Sequence, residues 1–221
     1  MTKFANSMRC LIMKNDPRII KTINKLEKAF VMLLKTYDVS DINVRQISDE
    51  AGVTRGAFYS HFSDKKEFLE FTMESLIQEL LKPSLKDSAD YVEETKHENA
   101  HQANVLSLTE IFNHVAENYQ AYTVVMGSDR LPSFNQTLKK RLMEEFEKFA
   151  DYYDDEIDLG GFPFEVLSSF YVNGIVGMIK VWLEKGMMYT PHYMANAAKQ
   201  VLDSKESVKA NNLKLTDFFV V

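Results

Sequence analysis

Apolar residues recur every three to four positions from Pro17 onward, at Ile19, Ile20, Ile23, Leu26, Phe30, Val31 and Leu34. That period predicts a helix over about 17–37, with Asp16 as its cap and Pro17 in its first turn. Residues 1–16 show no sustained period and read as a poorly ordered arm. Asn43-Val44-Arg45-Gln46 has the form of a capping box, so a short helix is expected over about 44–51, with Ile47 and Ala51 turned inward. Gly52 stops it, because glycine alone enters the left-handed region without steric cost, and Thr54 is placed to cap a third helix over about 55–61. Ser63 and Asp64 then cap a fourth, about 64–82, with Phe68, Leu69, Met73, Leu76, Ile77 and Leu80 on its apolar side and Pro83 beyond its end.

Residues 84–100 are polar and charged and read as a loop or weak helix. Helical spacing returns over about 103–126 with Val105, Leu108, Ile111, Phe112, Val115, Tyr119 and Tyr122. Gly127-Ser128-Asp129 breaks it, and Pro132 opens a stretch of about 132–153 carrying Phe134, Leu138, Leu142, Phe146 and Phe149. The acidic run from Asp151 to Asp158 with Gly160-Gly161 is a further break. A strongly apolar helix of about 163–185 and a last one of about 191–204 follow, while residues 205–221 match no pattern.

Composition agrees with an all-α chain: 221 residues hold only 8 Gly and 5 Pro, beside 11 Met. Cys10 stands alone, so an internal disulfide is excluded and a cytoplasmic setting is the expectation. Cys10-Leu11-Ile12-Met13 is too short for a signal-peptide core, and no uncharged stretch reaches about 18 residues, so no membrane partner is expected. The net charge of −6 counts at first against nucleic acid, but it is unevenly spread. Residues 1–66 hold 12 Lys and Arg against 7 Asp and Glu, a net +5; residues 67–221 hold the other 14 against 25, a net −11. A basic head on an acidic body is the charge pattern of a nucleic-acid-binding module joined to something else.

Two short helices joined by a glycine turn at 44–61, behind a longer bracing helix, describe a helix-turn-helix, whose second helix enters the DNA major groove. Ile47, Ala51, Val53, Phe58 and Phe62 are spaced to close its small core. Arg45 lies in the first turn of the leading helix, where its charge and the terminal amides suit a phosphate; pairing with Asp49 one turn on is the other reading. Thr54, Arg55, Gly56 and Ala57 open the second helix, the end that meets base edges, and Arg55 is the side chain there able to grip guanine with two hydrogen bonds. Gly56 would let the backbone come close.

The stretch from Val44 to Leu69, with its Ala51-Gly52-Val53 turn, its Phe58-Tyr59-Ser60-His61-Phe62 block and its Lys65-Lys66-Glu67-Phe68-Leu69 helix opening, resembles the DNA-binding signature of TetR-family bacterial regulators. The resemblance covers roughly residues 17–72. It implies that Tyr59 and His61 contact the DNA backbone and that Lys65 supplies a cation at the start of the fourth helix; packing of the domain is the other reading of Tyr59 and His61, and for His61 a structural hydrogen bond stands as an equal alternative. Lys66 reads as a solvated charge.

Beside the flexible arm at 1–16, the resemblance implies a DNA-binding domain at 17–66 and a helical ligand-binding and dimerisation domain at 67–221. Two C-terminal helices of such proteins form a homodimer bundle, which assigns Val166, Phe170, Gly174, Gly177, Met178, Val181 and Trp182 to an interface. The run Phe170 to Gly177 followed by Trp182 to Gly186 is similar to a C-terminal domain of some family members, including regulators linked to dihydroxyacetone kinase operons. Phe112, Tyr119, Tyr122, Phe134, Phe146 and Tyr171 are the candidates for an effector pocket, with core packing as the competing reading. His97 and His101, with Glu94 or His114, have metal-ligand spacing, but scattered ligands in a polar segment rarely form a site, and no metal or cofactor is expected beyond an unidentified small-molecule effector. Asp154, Asp155, Glu156 and Asp158 have no basic or histidine neighbour in sequence, and no phosphate loop or nucleophile elbow occurs, so no catalytic residue is assigned. The expectation is a homodimeric, ligand-responsive regulator, in the main a repressor, that binds double-stranded DNA at a palindromic operator. The alternative is a protein of the same fold that acts as a co-regulator through protein contacts, without an operator of its own.

Overall fold

The computed structural model describes residues 16–91, 103–126, 131–153, 157–203 and 213–221. The N-terminal arm, Cys10, Glu94, His97, His101, the Gly127-Ser128-Asp129 break and Asp154-Asp155-Glu156 lie outside them. The chain divides into two compact units between Met73 and Glu74.

The first unit holds α1 (Pro17–Leu34), α2 (Val44–Ala51), α3 (Arg55–Tyr59) and the opening turns of α4 (Lys65–Ser84). Asp16 accepts the Arg18 amide at 2.8 Å and starts α1 as its sequence position requires. The helix ends at Leu34, short of residue 37, because the Lys35 and Thr36 amides turn to the Met32 and Leu33 carbonyls in a tightened last turn. At α2 the capping box is complete: Asn43 Oδ1 accepts the Gln46 amide at 3.0 Å and Gln46 Oε1 accepts the Asn43 amide at 2.9 Å. Gly52 ends α2 at φ 63°, the conformation for which glycine is suited. Four aromatic rings lock the unit: Phe58 and Phe62 lie 5.4 and 5.1 Å from Phe68, and Phe30 lies 5.7 Å from Phe68 on another side.

The second unit contains the rest of α4, then β1 (Leu85–Asp87), a 3-10 turn (Ser88–Asp90), β2 (Asn104–Ser107), α5 (Leu108–Glu117), α6 (Tyr119–Val125), α7 (Pro132–Tyr153), β3 (Ile157–Asp158), α8 (Phe164–Glu184), α9 (Pro191–Asp203), β4 (Leu213–Lys214), a 3-10 turn (Leu215–Phe218) and β5 (Phe219–Val220). Helices dominate it, with α7 against α8 and α9 against α5. Three sequence expectations change here. Helix α4 runs through Pro83 to Ser84, because a proline in a final turn forfeits only one amide donor, and the Ser84 hydroxyl donates to the Leu80 carbonyl at 2.7 Å. The single helix expected over 103–126 is a strand and two helices: Ser107 caps α5 by accepting the Glu110 amide, and the chain breaks at Asn118. Residues 85–87 pair antiparallel with β2, Leu85 opposite Leu106, where a loop or weak helix was expected.

Of the unassigned tail, residues 213–221 are described and structured. β5 pairs parallel with β2, Leu106 opposite Phe219, and β4 pairs parallel with β3, Ile157 opposite Leu213. Leu215, Thr216, Phe218 and Phe219 are buried.

Helix α8 is long and apolar enough, by length and composition, to cross a bilayer. Glu165 and Lys180 interrupt it, and one side of it, with Tyr171, Val172, Ile175, Val176, Ile179 and Leu183, is core of the second unit.

Candidate nucleic-acid interface

Helix α3 is five residues long, too short to hold itself together in water, so its geometry is imposed by its cap and its one buried residue. Thr54 Oγ1 accepts the Ala57 amide at 3.1 Å, and Phe58 is buried against the rings of Phe62 and Phe68. Everything else at its N-terminal end faces outward: Thr54, Arg55 and Gly56 are exposed and Ala57 is half-buried. The Arg55 guanidinium makes no ion pair or hydrogen bond to any of the described residues. A side-chain methyl on Gly56 would meet only Thr54 Oγ1 at 3.7 Å, an ordinary contact. The fold therefore does not require glycine there, and what its smallness leaves is open surface beside Arg55.

Arg45 also reaches solvent, with its Nε 3.5 Å from Asp49 Oδ2. The pair foreseen as the alternative is thus formed, but both side chains are mostly exposed, where such a pair is worth about 0.3–0.5 kcal/mol and yields readily to a phosphate. Tyr59 is 55% exposed, with its ring edge-on to Phe58. His61 is half-buried and lies edge-on to Phe62, 6.4 Å between ring centres, which ties it to the aromatic cluster.

Lys65 departs from its expected place. Its Nζ donates to the carbonyls of Val39 at 2.8 Å and Ile42 at 2.7 Å, with Ser40 at 3.5 Å. An ammonium has three protons to give, and the Val39 and Ile42 carbonyls take two of them in short bonds. Lys65 is a strut across the turn that leads into α2, and the exposed cation at this helix start is Lys66, 84% exposed and 3.9 Å from Glu70. The start itself is fastened by a box not foreseen in full: Asp64 Oδ1 accepts the Glu67 amide at 2.8 Å, while Glu67 Oε2 accepts the amide and hydroxyl of Ser63 at 2.6 Å. The spacing Asp64-x-x-Glu67 was the signal for it.

In the second unit the expected interface residues separate. Val166, Phe170 and Val181 are about half exposed, Gly174 and Gly177 are exposed with nothing within 4 Å of an added Cβ, and Met178 is half-buried. Val166, Phe170, Gly174, Gly177 and Val181 form one stripe along α8, and Tyr193 and Val201 of α9 are equally exposed. Trp182 is not in that stripe: it is 3% exposed, its indole N–H donates to the Tyr189 carbonyl at 3.0 Å, and its ring meets Phe112 edge-on. One residue further round the helix from Val181, it faces the core.

The pocket candidates are likewise dispersed. Tyr119 is exposed, whereas Phe112, Tyr122, Phe134, Phe146 and Tyr171 are buried. Phe146 and Tyr171 are met by Phe218 and Phe219, with Phe146 4.6 Å from Phe218 and 5.3 Å from Phe219. Tyr122 donates to the Leu76 carbonyl of α4 at 3.3 Å and lies 3.1 Å from His114 Nε2. Burial holds His114 below its ordinary pKa, opposed by the charges of Glu79 and Glu117, and pushes the Tyr122 phenol upward. No group of three or more His, Cys, Asp or Glu among the described residues has metal-binding geometry.

Comparison with known proteins adds to this geometry. A family model described as "Bacterial regulatory proteins, tetR family" matches residues 28–71, and one described as "Transcriptional regulator C-terminal region" matches residues 103–204. The chain is 28% identical over 67 residues to the uncharacterized HTH-type transcriptional regulator YxbF of Bacillus subtilis (strain 168); the match spans 30% of this chain and 18% of that relative. Among solved structures it is similar to a TetR transcriptional regulator from Streptococcus agalactiae 2603V, with a TM-score of 0.60, 24% identity, and coverage of 86% of this chain and 98% of that one. It is also similar to the dihydroxyacetone kinase operon activator DhaS (TM-score 0.54, 17% identity, 83% and 95% covered). A third likeness is to NalD, the secondary repressor of the MexAB-OprM multidrug efflux pump in Pseudomonas aeruginosa (TM-score 0.52, 19% identity, 82% and 94% covered). At these identities the likenesses speak to the fold.

Proposed function

The chain belongs to the TetR family of bacterial transcriptional regulators, and on that premise we propose that it acts in the cytoplasm as a homodimeric, effector-responsive repressor seated on a palindromic operator. The observation that carries this reading is the outward end of α3, where Arg55, without a partner among the described residues, stands beside a glycine the fold does not need. Both belong to the part of the chain with a net +5. Arg55 reads a base edge, while Arg45, Tyr59 and Lys66 hold the phosphates and set the register. Two copies joined through the exposed stripe of α8 present two such ends, and a palindrome places its half-sites about 34 Å apart or a multiple of that. A dimer seated over a promoter competes with polymerase for the same duplex, which makes repression its simplest output. Helix α4 contributes residues to both units, and the Tyr122 contact to Leu76 gives an effector in the second unit a handle on that helix. Effector and operator are then coupled reciprocally.

The test is the affinity of purified protein for a selected duplex, measured by fluorescence anisotropy for the natural chain and Arg55→Ala. The expected result is a loss of about 1–3 kcal/mol that is confined to duplexes carrying one particular base pair. Equal loss on every duplex, or none on any, contradicts the assignment of base reading to Arg55.

A further inference from the structure

Segment Leu213–Val221 lies beyond residues 103–204, the part of the body shared with the family model. Four of its residues, Leu215, Thr216, Phe218 and Phe219, are nevertheless buried in the second unit. Phe218 and Phe219 enter a chamber walled by Phe146 and Phe149 of α7 and Tyr171 of α8, and both are buried. Its backbone is engaged as well: β5 forms the third strand beside β2, β4 pairs with β3, and Lys199 Nζ donates to the Thr216 carbonyl at 2.9 Å. Two of the aromatic residues that the sequence offers as an effector pocket, Phe146 and Tyr171, are thus covered by the chain's own tail.

The manner of attachment is that of a bound peptide. Strands of two residues supply few ladder hydrogen bonds, so the tail is held by side chains in a chamber and by edge pairing, the two elements of strand-addition recognition. On β2 one edge is taken by β1 and the other by the tail, so leaving it would bare the backbone edge of Leu106 and Ser107. A compact apolar molecule could occupy the chamber but could not satisfy that edge. An extended strand satisfies both.

We propose that β2 and the aromatic chamber form a peptide-binding groove whose resident occupant is segment 213–221, and that its effector is an extended hydrophobic peptide with two adjacent aromatic side chains that displaces this segment. The link from displacement to operator release rests on the function proposed above; the groove itself does not. The resident segment competes at the high effective concentration of a tethered ligand, which sets the threshold an incoming peptide must exceed.

Two measurements without DNA test the groove, so its failure is separable from failure of the operator reading. In the intact chain, hydrogen exchange should show the amides of residues 215–220 opening at least a hundredfold faster than core amides of α8 such as Ile175 and Val176. Exchange of both sets at one common rate overturns the proposal, because the tail would then leave only when the unit unfolds. A chain ending at Asn212 should bind a fluorescent peptide of residues 213–221, at least a hundredfold more tightly than the same peptide with both Phe218→Ala and Phe219→Ala. The intact chain should bind that peptide at least tenfold more weakly than the shortened one. A folded shortened chain that ignores the peptide, or does not distinguish the alanine form, overturns the proposal; if the shortened chain does not fold, exchange in the intact chain decides.

Discussion

Replacing Lys65 by methionine removes the ammonium and keeps most of the stem, so it isolates the three carbonyl contacts. Hydrogen bonds to a charged group contribute about 1.5–3 kcal/mol each. Two of those at Lys65 are short, at 2.7 and 2.8 Å, and the third, at 3.5 Å, is long enough to neglect. Lys65 is itself half-buried, so the freed carbonyls regain part of their loss from water. Lys65→Met should therefore lower the unfolding free energy of the basic unit by about 2 kcal/mol, read by urea titration with a probe in that unit. The same variant, compared with the natural chain under folded conditions, should show an unchanged slope of log K against log salt. A phosphate contact would behave oppositely, since each one lost flattens the slope by about 0.9. Stability within about 0.5 kcal/mol of the natural chain together with that flattening would refute the strut, because half a kilocalorie is what surface substitutions cost.

Three further outcomes follow from the same geometry. Gly56→Ala should leave stability unchanged or raise it by up to about 1 kcal/mol, since alanine is the better helix residue, while weakening operator binding at least tenfold; unchanged binding would mean that this end of α3 does not approach DNA. Val181→Asp places a charge in the exposed stripe of α8 and should give a folded monomer by sedimentation, with operator affinity reduced by roughly a hundredfold or more as the second half-site is lost; a dimer that persists locates the interface elsewhere. The neutral His114 ring resists a proton that the unfolded chain accepts near pH 6.5, so the acidic unit should lose stability as pH falls through that value. His114→Gln should remove this contribution, and an identical pH profile in the two proteins would rule out His114 as its source.

The basic unit was legible because its signals are local and redundant. Asn43 with Gln46, Gly52, and Thr54 each act within four residues, and the backbone does at each what the side chain dictates. Where contacts are long-range, legibility fails for a physical reason. The role of Lys65 depends on carbonyls more than twenty residues away, and a backbone oxygen has no letter in the sequence. The three-stranded sheet is built from pieces of two to four residues, too short to show a period, and joins residues 85, 106 and 219. Trp182 is expected at the interface with Val181, and because large apolar residues crowd both sides of α8, spacing alone does not separate Val181, outside, from its neighbour inside. Phe218 and Phe219 lacked any flanking pattern, and only the chamber of Phe146, Phe149 and Tyr171 reveals why they are there.

On the function proposed above, the open end of α3, presented twice by a dimer, reads DNA. Selection of purified protein against a library of random-sequence duplexes at physiological salt tests it directly. The expected result is an enriched palindrome whose half-site centres lie one helical turn apart, about 10 base pairs, or a whole multiple of it, and loss of that enrichment with Arg55→Ala. A library that emerges without enrichment, or enrichment of a single asymmetric site that Arg55→Ala leaves untouched, would contradict it.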